Sequence, residues 1–253
     1  MNKIALITGA TSGIGLATAR KFAENQYDLI ITGRRKERLD KLGKELLESN
    51  NKIRVLPLAF DVRSLSEVVQ NLGNLERDWQ NIDILVNNAG LAVGLSHIDE
   101  GVIDDWERMI DTNIKGLLYI TRLVSPGMAE RGKGHILNIG SIAGKEVYEN
   151  GNVYCATKYA VDALSRSMRI DLVKHGIKVT NIAPGLVKTE FSDVRFKGDK
   201  EKAEVPYKGM KPLSGEDIAD VIFYCVNLPD HVNIDDVLIM PVAQASATIV
   251  KRD

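Results

Sequence analysis

The chain has 253 residues, a length that suits either two small domains or one large α/β domain. Its 33 Lys and Arg residues nearly balance its 34 Asp and Glu residues, so the net charge of −1 excludes a strong overall attraction to nucleic acid or to a membrane surface. Hydrophobic residues make up 44% of the chain and charged residues 26%, which is typical of a folded globular protein and excludes a disordered one.

Short apolar runs alternate with longer amphipathic stretches along the whole chain. The predicted strands are residues 4–8, 28–32, 53–58, 82–86, 135–139, 178–182 and 237–240. The predicted helices are residues 14–25, 36–49, 64–79, 104–131, 153–175 and 215–227, with a break in the fourth near Asn113. Runs rich in Ile, Val and Leu are typical of strands that are covered on both faces. The alternation predicts parallel strands joined by right-handed crossovers.

Two architectures fit this pattern. An eightfold (β/α) barrel requires eight strand–helix pairs, whereas the sequence offers about seven strands. An open doubly wound sheet binds its ligand at the carboxyl ends of its strands, where the motifs described below cluster. We therefore predict a single-domain α/β Rossmann fold over residues 1–253, with a doubly wound parallel sheet of about seven strands flanked by helices.

The cysteines and histidines give no sign of a disulfide scaffold or a metal centre. Cys155 and Cys225 stand outside any Cys-x-x-Cys pair, and the 4 histidines form no His-Glu-x-x-His pattern. Glycines interrupt the apolar N-terminal stretch, which argues against a secretory signal, and no long apolar run suggests a membrane span. We expect a cytoplasmic protein without a bound metal.

Residues 190–212 interrupt the alternation of strands and helices. The segment mixes aromatic side chains such as Phe191 and Tyr207 with basic ones such as Arg195 and Lys197. Long connections inside a compact domain are more often functional than structural. We predict that this segment forms a flap over a substrate.

A glycine-rich turn follows the first predicted strand. It reads Thr8-Gly9-Ala10-Thr11-Ser12-Gly13-Ile14-Gly15 and opens an amphipathic helix. Glycines permit tight backbone angles and the close approach of a pyrophosphate, and the helix N-terminus supplies free N–H groups. The turn therefore predicts a dinucleotide site that includes Gly9, Thr11, Ser12, Gly13, Ile14 and Gly15. Its spacing, Gly-x-x-x-Gly-x-Gly, resembles that of the short-chain dehydrogenase/reductase family, and this resemblance implies that NAD or NADP binds here.

The end of the second predicted strand, Thr32-Gly33-Arg34-Arg35, bears on the choice of cofactor. NAD-binding folds place an Asp or Glu about twenty residues after the glycine turn, where it binds the ribose 2′-hydroxyl. Gly33 stands there instead, followed by two arginines whose guanidinium forks suit a 2′-phosphate. The alternative is that these cations only begin a solvated helix, but cations are unfavourable at a helix N-terminus. We therefore predict that Arg34 and Arg35 bind NADP.

The ends of later predicted strands match the family as well. The resemblance implies that an Asp and its neighbour hold the adenine, that an Asn-Asn-Ala-Gly turn follows the fourth strand, and that a Pro-Gly-x-x-x-Thr segment positions the carboxamide end of the cofactor. Taken alone, each would also fit a simple turn. The implied cofactor-binding residues at these ends are Asp61, Val62, Asn88, Ala89, Gly90, Pro184, Gly185, Val187 and Thr189.

Tyr154 and Lys158 lie four positions apart in a predicted helix, so both project from one face. A free tyrosine, with a pKa of about 10, is only about 0.1% phenolate at pH 7, and a nearby ammonium group favours the phenolate. The pair therefore suits proton transfer, and the resemblance implies that both residues also contact the cofactor.

Ser141 and Asn113 complete the predicted catalytic set. Ser141 follows the fifth predicted strand and precedes Tyr154 by 13 positions, the spacing found in the family, so its hydroxyl is expected to hold the substrate oxygen with Tyr154. Asn113 matches the fourth catalytic position, where the resemblance implies an interrupted helix and a water-mediated proton path to Lys158. Alone, Asn113 would indicate only a local helix break.

Longer matching segments, including residues 190–199 and 231–234, resemble the NADP-dependent 3-hydroxy acid dehydrogenases within the family. The resemblance implies oxidation of serine, allo-threonine or 3-hydroxyisobutyrate, or reduction of malonic semialdehyde. These molecules carry a carboxylate, which requires a fixed cationic partner, and we predict Arg195 in that role. Lys197 is interpreted as a solvated residue. The alternatives are a reductase of an uncharged ketone or sugar and a non-catalytic NADP-binding regulator.

The expected partner is a small-molecule substrate rather than nucleic acid or a membrane. The resemblance also implies a homotetramer built on helix pairs and the C-terminal region. Residues 244–250 are mildly apolar, and they suit packing against a neighbouring subunit as well as folding back on their own chain.

Overall fold

A parallel β-sheet forms the centre of the protein. The computed structural model describes residues 2–253, in which the sheet has seven strands in the order β3-β2-β1-β4-β5-β6-β7, with every adjacent pair parallel. The strands are β1 (Ile4–Ile7), β2 (Asp28–Gly33), β3 (Val55–Ala59), β4 (Ile82–Asn87), β5 (Gly134–Ile139), β6 (Ile177–Pro184) and β7 (Asp236–Ile239). The strand order reverses between β1 and β4, and doubly wound sheets bind their ligands at such a point.

Helices cover both faces of the sheet. They are α1 (Gly13–Glu24), α2 (Lys36–Ser49), α3 (Leu65–Leu72), α4 (Ile103–Ile110), α5 (Leu117–Arg131), α6 (Asn152–Leu172), α7 (Phe191–Arg195), α8 (Lys200–Glu204) and α9 (Gly215–Val226). Across the described residues, none of the helices combines the length and the apolar character needed to cross a bilayer.

The alternation of side chains along β1 explains the two-sided core. Ala5 and Ile7 pack into the cluster formed with α1, α2 and α9, whereas Ile4 and Leu6 pack into the cluster formed with α3, α5 and α6. Because both faces are covered, all four residues are buried, and the strand is apolar throughout instead of alternating with polar residues. The predicted single-domain α/β fold is confirmed, and each strand boundary lies within two residues of its predicted position.

Three predicted helices differ from the structure. The helix predicted over residues 64–79 is too long, because α3 ends before Gly73 and a separate 3-10 turn covers Arg77–Trp79. The helix predicted over residues 153–175 ends as α6 at Leu172 and continues only as a 3-10 turn. The predicted break near Asn113 is a π-helical segment, Asp111–Gly116, that joins α4 to α5 without leaving the helix.

Residues 190–212 contain α7, α8 and a 3-10 turn, and a parallel bridge between Val187 and Leu213 closes the segment at its base. The C-terminal residues fold back on their own chain and contact this segment. The Arg252 side chain donates to the carbonyl oxygens of Lys208 and Pro206, and the backbone N–H of Asp253 donates to the carbonyl oxygen of Gly209. Within residues 244–250, Gln244 accepts the Leu186 N–H and the Ala247 N–H donates to Glu146, both at 2.8 Å, so this stretch contacts its own chain.

Candidate active site

A cavity of about 510 Å³ opens at the carboxyl ends of the parallel strands. Cavities of this size are typical of small-molecule sites. Its walls come from the turns after β1, β2, β3, β4, β5 and β6 and from α7. All the residues predicted to bind cofactor or substrate, or to act in catalysis, line this cavity except Gly15 and Asn113, which are buried behind its wall.

The glycine turn after β1 has the backbone that a closely bound phosphate requires. Gly9 and Gly13 have φ angles of 67° and 54°, in the left-handed region that favours glycine. A Cβ atom on Gly13 would lie 3.0 Å from the Cβ of Thr189, so a larger residue would crowd the opposite wall. Helix α1 begins at Gly13, and the first N–H groups of a helix have no partner within it and attract anions. The turn therefore fits the pyrophosphate of a dinucleotide.

The turn after β4 braces the glycine turn. Asn88 Nδ2 donates to the carbonyl oxygens of Thr8 and Gly9 at 2.8 and 3.2 Å. The backbone N–H groups of Asn88 and Ala89 donate to the Thr8 hydroxyl at 3.0 and 2.9 Å. A side chain on Gly15 would collide with Asn88 Nδ2, so this glycine lets α1 pack closely against the brace. Gly15 therefore supports the site from behind.

The Arg35 guanidinium is held by hydroxyl groups of the glycine turn. Its Nη2 donates to Thr11 Oγ1 at 2.8 Å and to Ser12 Oγ at 3.1 Å. Its Nη1 donates to Glu190 at 3.0 Å, and the same carboxylate accepts from Arg38 at 2.9 Å. Burial raises the pKa of Glu190, but the hydrogen bonds from both arginines outweigh burial and hold the pKa below its ordinary value. Glu190 thus partly balances the positive charge of the arginines at the start of α2.

Arg34 and Asp61 face each other on the next part of the wall, with 4.0 Å between Nη1 and Oδ2. Asp61 is also held by Arg63, whose Nε and Nη2 donate to Oδ2 at 2.9 and 2.7 Å. Burial raises the pKa of Asp61, but the hydrogen bonds from Arg63 lower the pKa by more than burial raises it, so the net shift is downward. The carboxylate is therefore ionised at neutral pH and available as a hydrogen-bond acceptor at the cavity wall.

The four predicted catalytic residues converge near the ends of β4 and β5. Lys158 and Tyr154 are buried on α6, with Lys158 Nζ 5.9 Å from the centre of the Tyr154 ring and donating to the Ile139 carbonyl at 2.8 Å. Ser141 Oγ accepts the Ala143 N–H at 3.1 Å, and Ser141 lines the same cavity as Tyr154.

Asn113 braces this group from the π-helical segment. Its Oδ1 accepts the Leu91 N–H at 2.8 Å, and its Nδ2 donates to the Leu91 carbonyl at 2.8 Å and to Thr157 Oγ1 at 3.0 Å. Thr157 Oγ1 in turn donates to the Tyr154 carbonyl at 2.8 Å. The Asn113 side chain thus ties the loop after β4 to the helix that carries Tyr154 and Lys158.

Burial shifts the pKa values of Tyr154 and Lys158 in opposite directions. It lowers the pKa of Lys158 to about 8. It raises the pKa of Tyr154 above its ordinary value; Tyr148 adds to this rise, while a hydrogen bond with Ser141 and the charge of Arg195 oppose it. The expected lowering of the Tyr154 pKa by Lys158 is therefore wrong, because burial prevails in the structure and the tyrosine is protonated at neutral pH.

Arg195 lies directly beside Tyr154. The guanidinium carbon is 5.5 Å from the centre of the Tyr154 ring and 5.4 Å from that of Tyr148, and Nη2 donates to the Tyr148 hydroxyl at 2.9 Å. Lys197 is exposed, in agreement with its interpretation as a solvated residue, and its ammonium pairs with the buried carboxylate of Asp105 at 2.7 Å. Tyr154 therefore has two cationic side chains near its ring, Lys158 and Arg195.

Comparisons with known proteins identify the family. The profile described as short chain dehydrogenase matches residues 3–200. The chain belongs to the short-chain dehydrogenase/reductase family. It is 50% identical over 245 residues to NADP-dependent 3-hydroxy acid dehydrogenase YdfG of Salmonella typhi, an alignment that covers 96% of this chain and 97% of that protein.

Other relatives of this short-chain dehydrogenase/reductase are oxidoreductases as well. Sulfoacetaldehyde reductase 2 of Chromohalobacter salexigens is 44% identical over 255 residues, with 100% of both chains covered. A solved structure, the closed form of serine dehydrogenase complexed with NADP+, matches with a TM-score of 0.91 and 48% identity, covering 99% of this chain and 100% of that one. This enzyme is therefore an NADP-dependent oxidoreductase.

Several residues of the dehydrogenase/reductase site were not identified from the sequence. Tyr148 holds Arg195, and Glu190 links Arg35 to Arg38, yet neither belongs to a motif. Gln244 lines the cavity and accepts the Leu186 N–H at 2.8 Å. The only sequence signal for Tyr148 and Glu190 was their position: Tyr148 lies just before the catalytic helix and Glu190 begins the irregular segment 190–212.

Proposed function

We propose that this enzyme reversibly oxidises the hydroxyl group of small 3-hydroxy acids such as serine, allo-threonine and 3-hydroxyisobutyrate, and reduces malonic semialdehyde in the opposite direction. The observation that carries the proposal is the guanidinium of Arg195, 5.5 Å from the Tyr154 ring. A fixed cation at that distance suits a substrate whose carboxylate lies two carbons from its alcohol carbon. The names of the relatives support the same class of substrate.

The roles proposed for the cofactor site follow from its contacts. The glycine turn would hold the pyrophosphate, Arg35 and Arg34 the 2′-phosphate, and Asp61 with Val62 the adenine. Thr189 and the Pro184-Gly185 turn would hold the carboxamide end, on the opposite wall of the cavity. When bound, NADP supplies the hydride acceptor or donor.

Tyr154 and Ser141 are proposed to hold the substrate oxygen, and Tyr154 to transfer the proton. Because Tyr154 is protonated at neutral pH, it is ready to donate a proton to a carbonyl substrate in the direction of reduction. In the direction of oxidation it must accept the proton, and the charges of Lys158 and Arg195 then favour the phenolate. Both N–H donors of the Asn113 amide are used in bracing the site, so we assign the role of Asn113 in the proton path to its backbone.

Arg195 also suits a second candidate substrate, a small sulfonate aldehyde of the kind named for the Chromohalobacter relative. Carboxylate and sulfonate both accept hydrogen bonds from a guanidinium fork, so Arg195 alone does not choose between them. The 3-hydroxy acids are favoured because more relatives carry that name, at higher identity. An uncharged ketone or sugar would leave Arg195 without a partner in a partly buried site, which is unfavourable.

The experiment that tests the proposal is a substrate panel with saturating NADP+, followed by the absorbance of NADPH. The panel contains L-serine, allo-threonine, 3-hydroxyisobutyrate and 3-hydroxypropionate, with isethionate (2-hydroxyethanesulfonate) as the sulfonate and 1,3-propanediol as the uncharged alcohol. We expect the highest kcat/KM with a 3-hydroxy acid. A higher value with isethionate would support the sulfonate candidate, and a higher value with the diol would contradict any anionic substrate.

Residues 190–212 are proposed to act as the substrate flap, since Arg195 lies on them and the C-terminal tail contacts them. We also propose a homotetramer, as the family resemblance implies. A cytoplasmic location is proposed because both cysteines are buried and unpaired thiols, as expected in a reducing compartment.

A further inference from the structure

Two buried polar atoms near the substrate site have no hydrogen-bond partner among residues 2–253. One is Arg195 Nε, a donor, and the other is Asn150 Oδ1, an acceptor. Both residues line one small cavity, behind Tyr154 and separate from the large cleft. Leaving a buried donor or acceptor unsatisfied costs about 1–3 kcal/mol, so a complementary pair on one cavity wall indicates a bound polar species.

The size of this cavity limits what it holds. Its volume is about 10 Å³, which is the room that a single water molecule requires. Trp106 and Met109 form apolar parts of the wall. Two polar side chains on the wall already have partners, because Asp105 pairs with Lys197 and the Asn152 amide bonds to backbone groups of Ser96 and Val153. We propose that one buried water bridges Arg195 Nε to Asn150 Oδ1, and that Asn150 thereby acts as a positioning residue for the substrate-binding guanidinium. This inference rests on the proposed function, in which Arg195 binds the substrate carboxylate.

The other contacts of Arg195 show why an anchor at Nε matters. The backbone is fixed, because the Arg195 carbonyl accepts the Gly94 N–H at 3.0 Å. At the far end of the side chain, Nη2 donates to the Tyr148 hydroxyl at 2.9 Å. One hydrogen bond allows the planar guanidinium to rotate about it, whereas a second bond at Nε fixes the plane. A fork held in one plane loses less entropy when it binds a carboxylate.

The backbone of Asn150 offers a clean way to remove the amide. Its φ angle is 64°, in the left-handed region that asparagine tolerates and glycine favours. Asn150→Gly therefore deletes the acceptor without straining the loop. Gln26 has a φ angle of 61° and lies in the turn before β2, at the amino ends of the strands, whereas the site lies at their carboxyl ends. Gln26→Gly is thus a matched control for the general effect of a new glycine.

The test compares 3-hydroxypropionate with its uncharged isostere 3-hydroxypropionamide at saturating NADP+. We expect Asn150→Gly to raise KM for the acid about 5- to 20-fold, with kcat within about twofold and kcat/KM for the amide unchanged. Gln26→Gly should leave KM and kcat unchanged for both substrates. In the Arg195→Ala background, Asn150→Gly should reduce kcat/KM for the acid no further, because the group that it positions is gone. Thermal unfolding of each variant checks that the fold is retained.

The outcomes separate the two proposals. Suppose that Arg195→Ala selectively lowers kcat/KM for the acid. If Asn150→Gly then leaves kcat/KM for the acid unchanged, or lowers kcat/KM for acid and amide equally, the positioning role is wrong and carboxylate recognition stands. If Arg195→Ala affects acid and amide equally, the proposed function fails and the positioning role fails with it. A high-resolution crystal structure should show the bridging water in the wild type, and a dry cavity there would also contradict the inference.

Discussion

Replacing Arg35 with alanine should weaken NADP+ binding selectively. Its guanidinium is held by Thr11 and Ser12 at 2.8 and 3.1 Å, so the fork is already oriented at the glycine turn. A hydrogen bond between charged groups contributes about 1.5–3 kcal/mol, and every 1.4 kcal/mol is a factor of ten in Kd. We therefore expect the Kd for NADP+ to rise roughly 10- to 150-fold. The Kd for NAD+, which lacks the 2′-phosphate, should change less than about threefold.

Lys36→Ala is the matched control. Lys36 follows Arg35 directly, but its ammonium is exposed and pairs with Asp40 at 2.7 Å instead of with the glycine turn. The substitution removes the same charge from the same helix start, so it should change the Kd for NADP+ less than about threefold. Isothermal titration calorimetry of both cofactors with both variants measures these values. An equal loss with Lys36→Ala, or an equal loss of NAD+ binding with Arg35→Ala, would refute a specific contact between Arg35 and the 2′-phosphate.

Three further outcomes are expected. Tyr154→Phe should lower kcat by about 10²- to 10⁴-fold with an unchanged Kd for NADPH, and a kcat within tenfold of wild type would exclude Tyr154 as the proton-transfer group. Gly13→Ala and Gly132→Ala should each cost roughly 1 kcal/mol or more in urea unfolding, because both φ angles are positive, but only Gly13→Ala, which crowds Thr189, should weaken NADP+ binding. Burial lowers the pKa of His135 to about 3. Below the unfolded pKa of about 6.5 only the unfolded chain gains this proton, so the free energy of unfolding should fall between about pH 6.5 and pH 4. The fall should be smaller in His135→Asn, and an equal fall in the variant and the wild type would contradict this reasoning.

Much of the fold follows from local pattern. Strands such as β1 are apolar runs because side chains on both faces are buried, and this signal is visible in the sequence itself. The π-helical segment around Asn113 is less visible, because a single shifted turn keeps the same residue types in a helix and changes only their hydrogen bonds. The over-long prediction for α3 shows the same limit, since its amphipathic pattern continues past Gly73, where the helix ends.

The site divides in a similar way. The glycine turn, Tyr154 and Lys158 were found because their chemistry requires fixed residue types at fixed spacing within one turn or one helix. Glu190 contacts Arg35 across 155 positions, and Tyr148 contacts Arg195 across 47. Contacts of this kind depend on how two loops meet above the sheet, which no local period encodes. The upward shift in the pKa of Tyr154 was missed for a related reason, because burial is set by the packing of α6 and α7 around the ring.

The specificity of Arg195 for a carboxylate is the central claim, and one ratio tests it most directly. This ratio is kcat/KM for 3-hydroxypropionate divided by kcat/KM for 3-hydroxypropionamide, measured in the wild type and in Arg195→Ala. Lys197→Ala serves as the control, because Lys197 lies on the same segment but pairs with Asp105. We expect Arg195→Ala to lower the ratio roughly 10- to 150-fold, through loss of charge-assisted hydrogen bonds, and Lys197→Ala to leave it within about threefold. An unchanged ratio in Arg195→Ala would contradict the account.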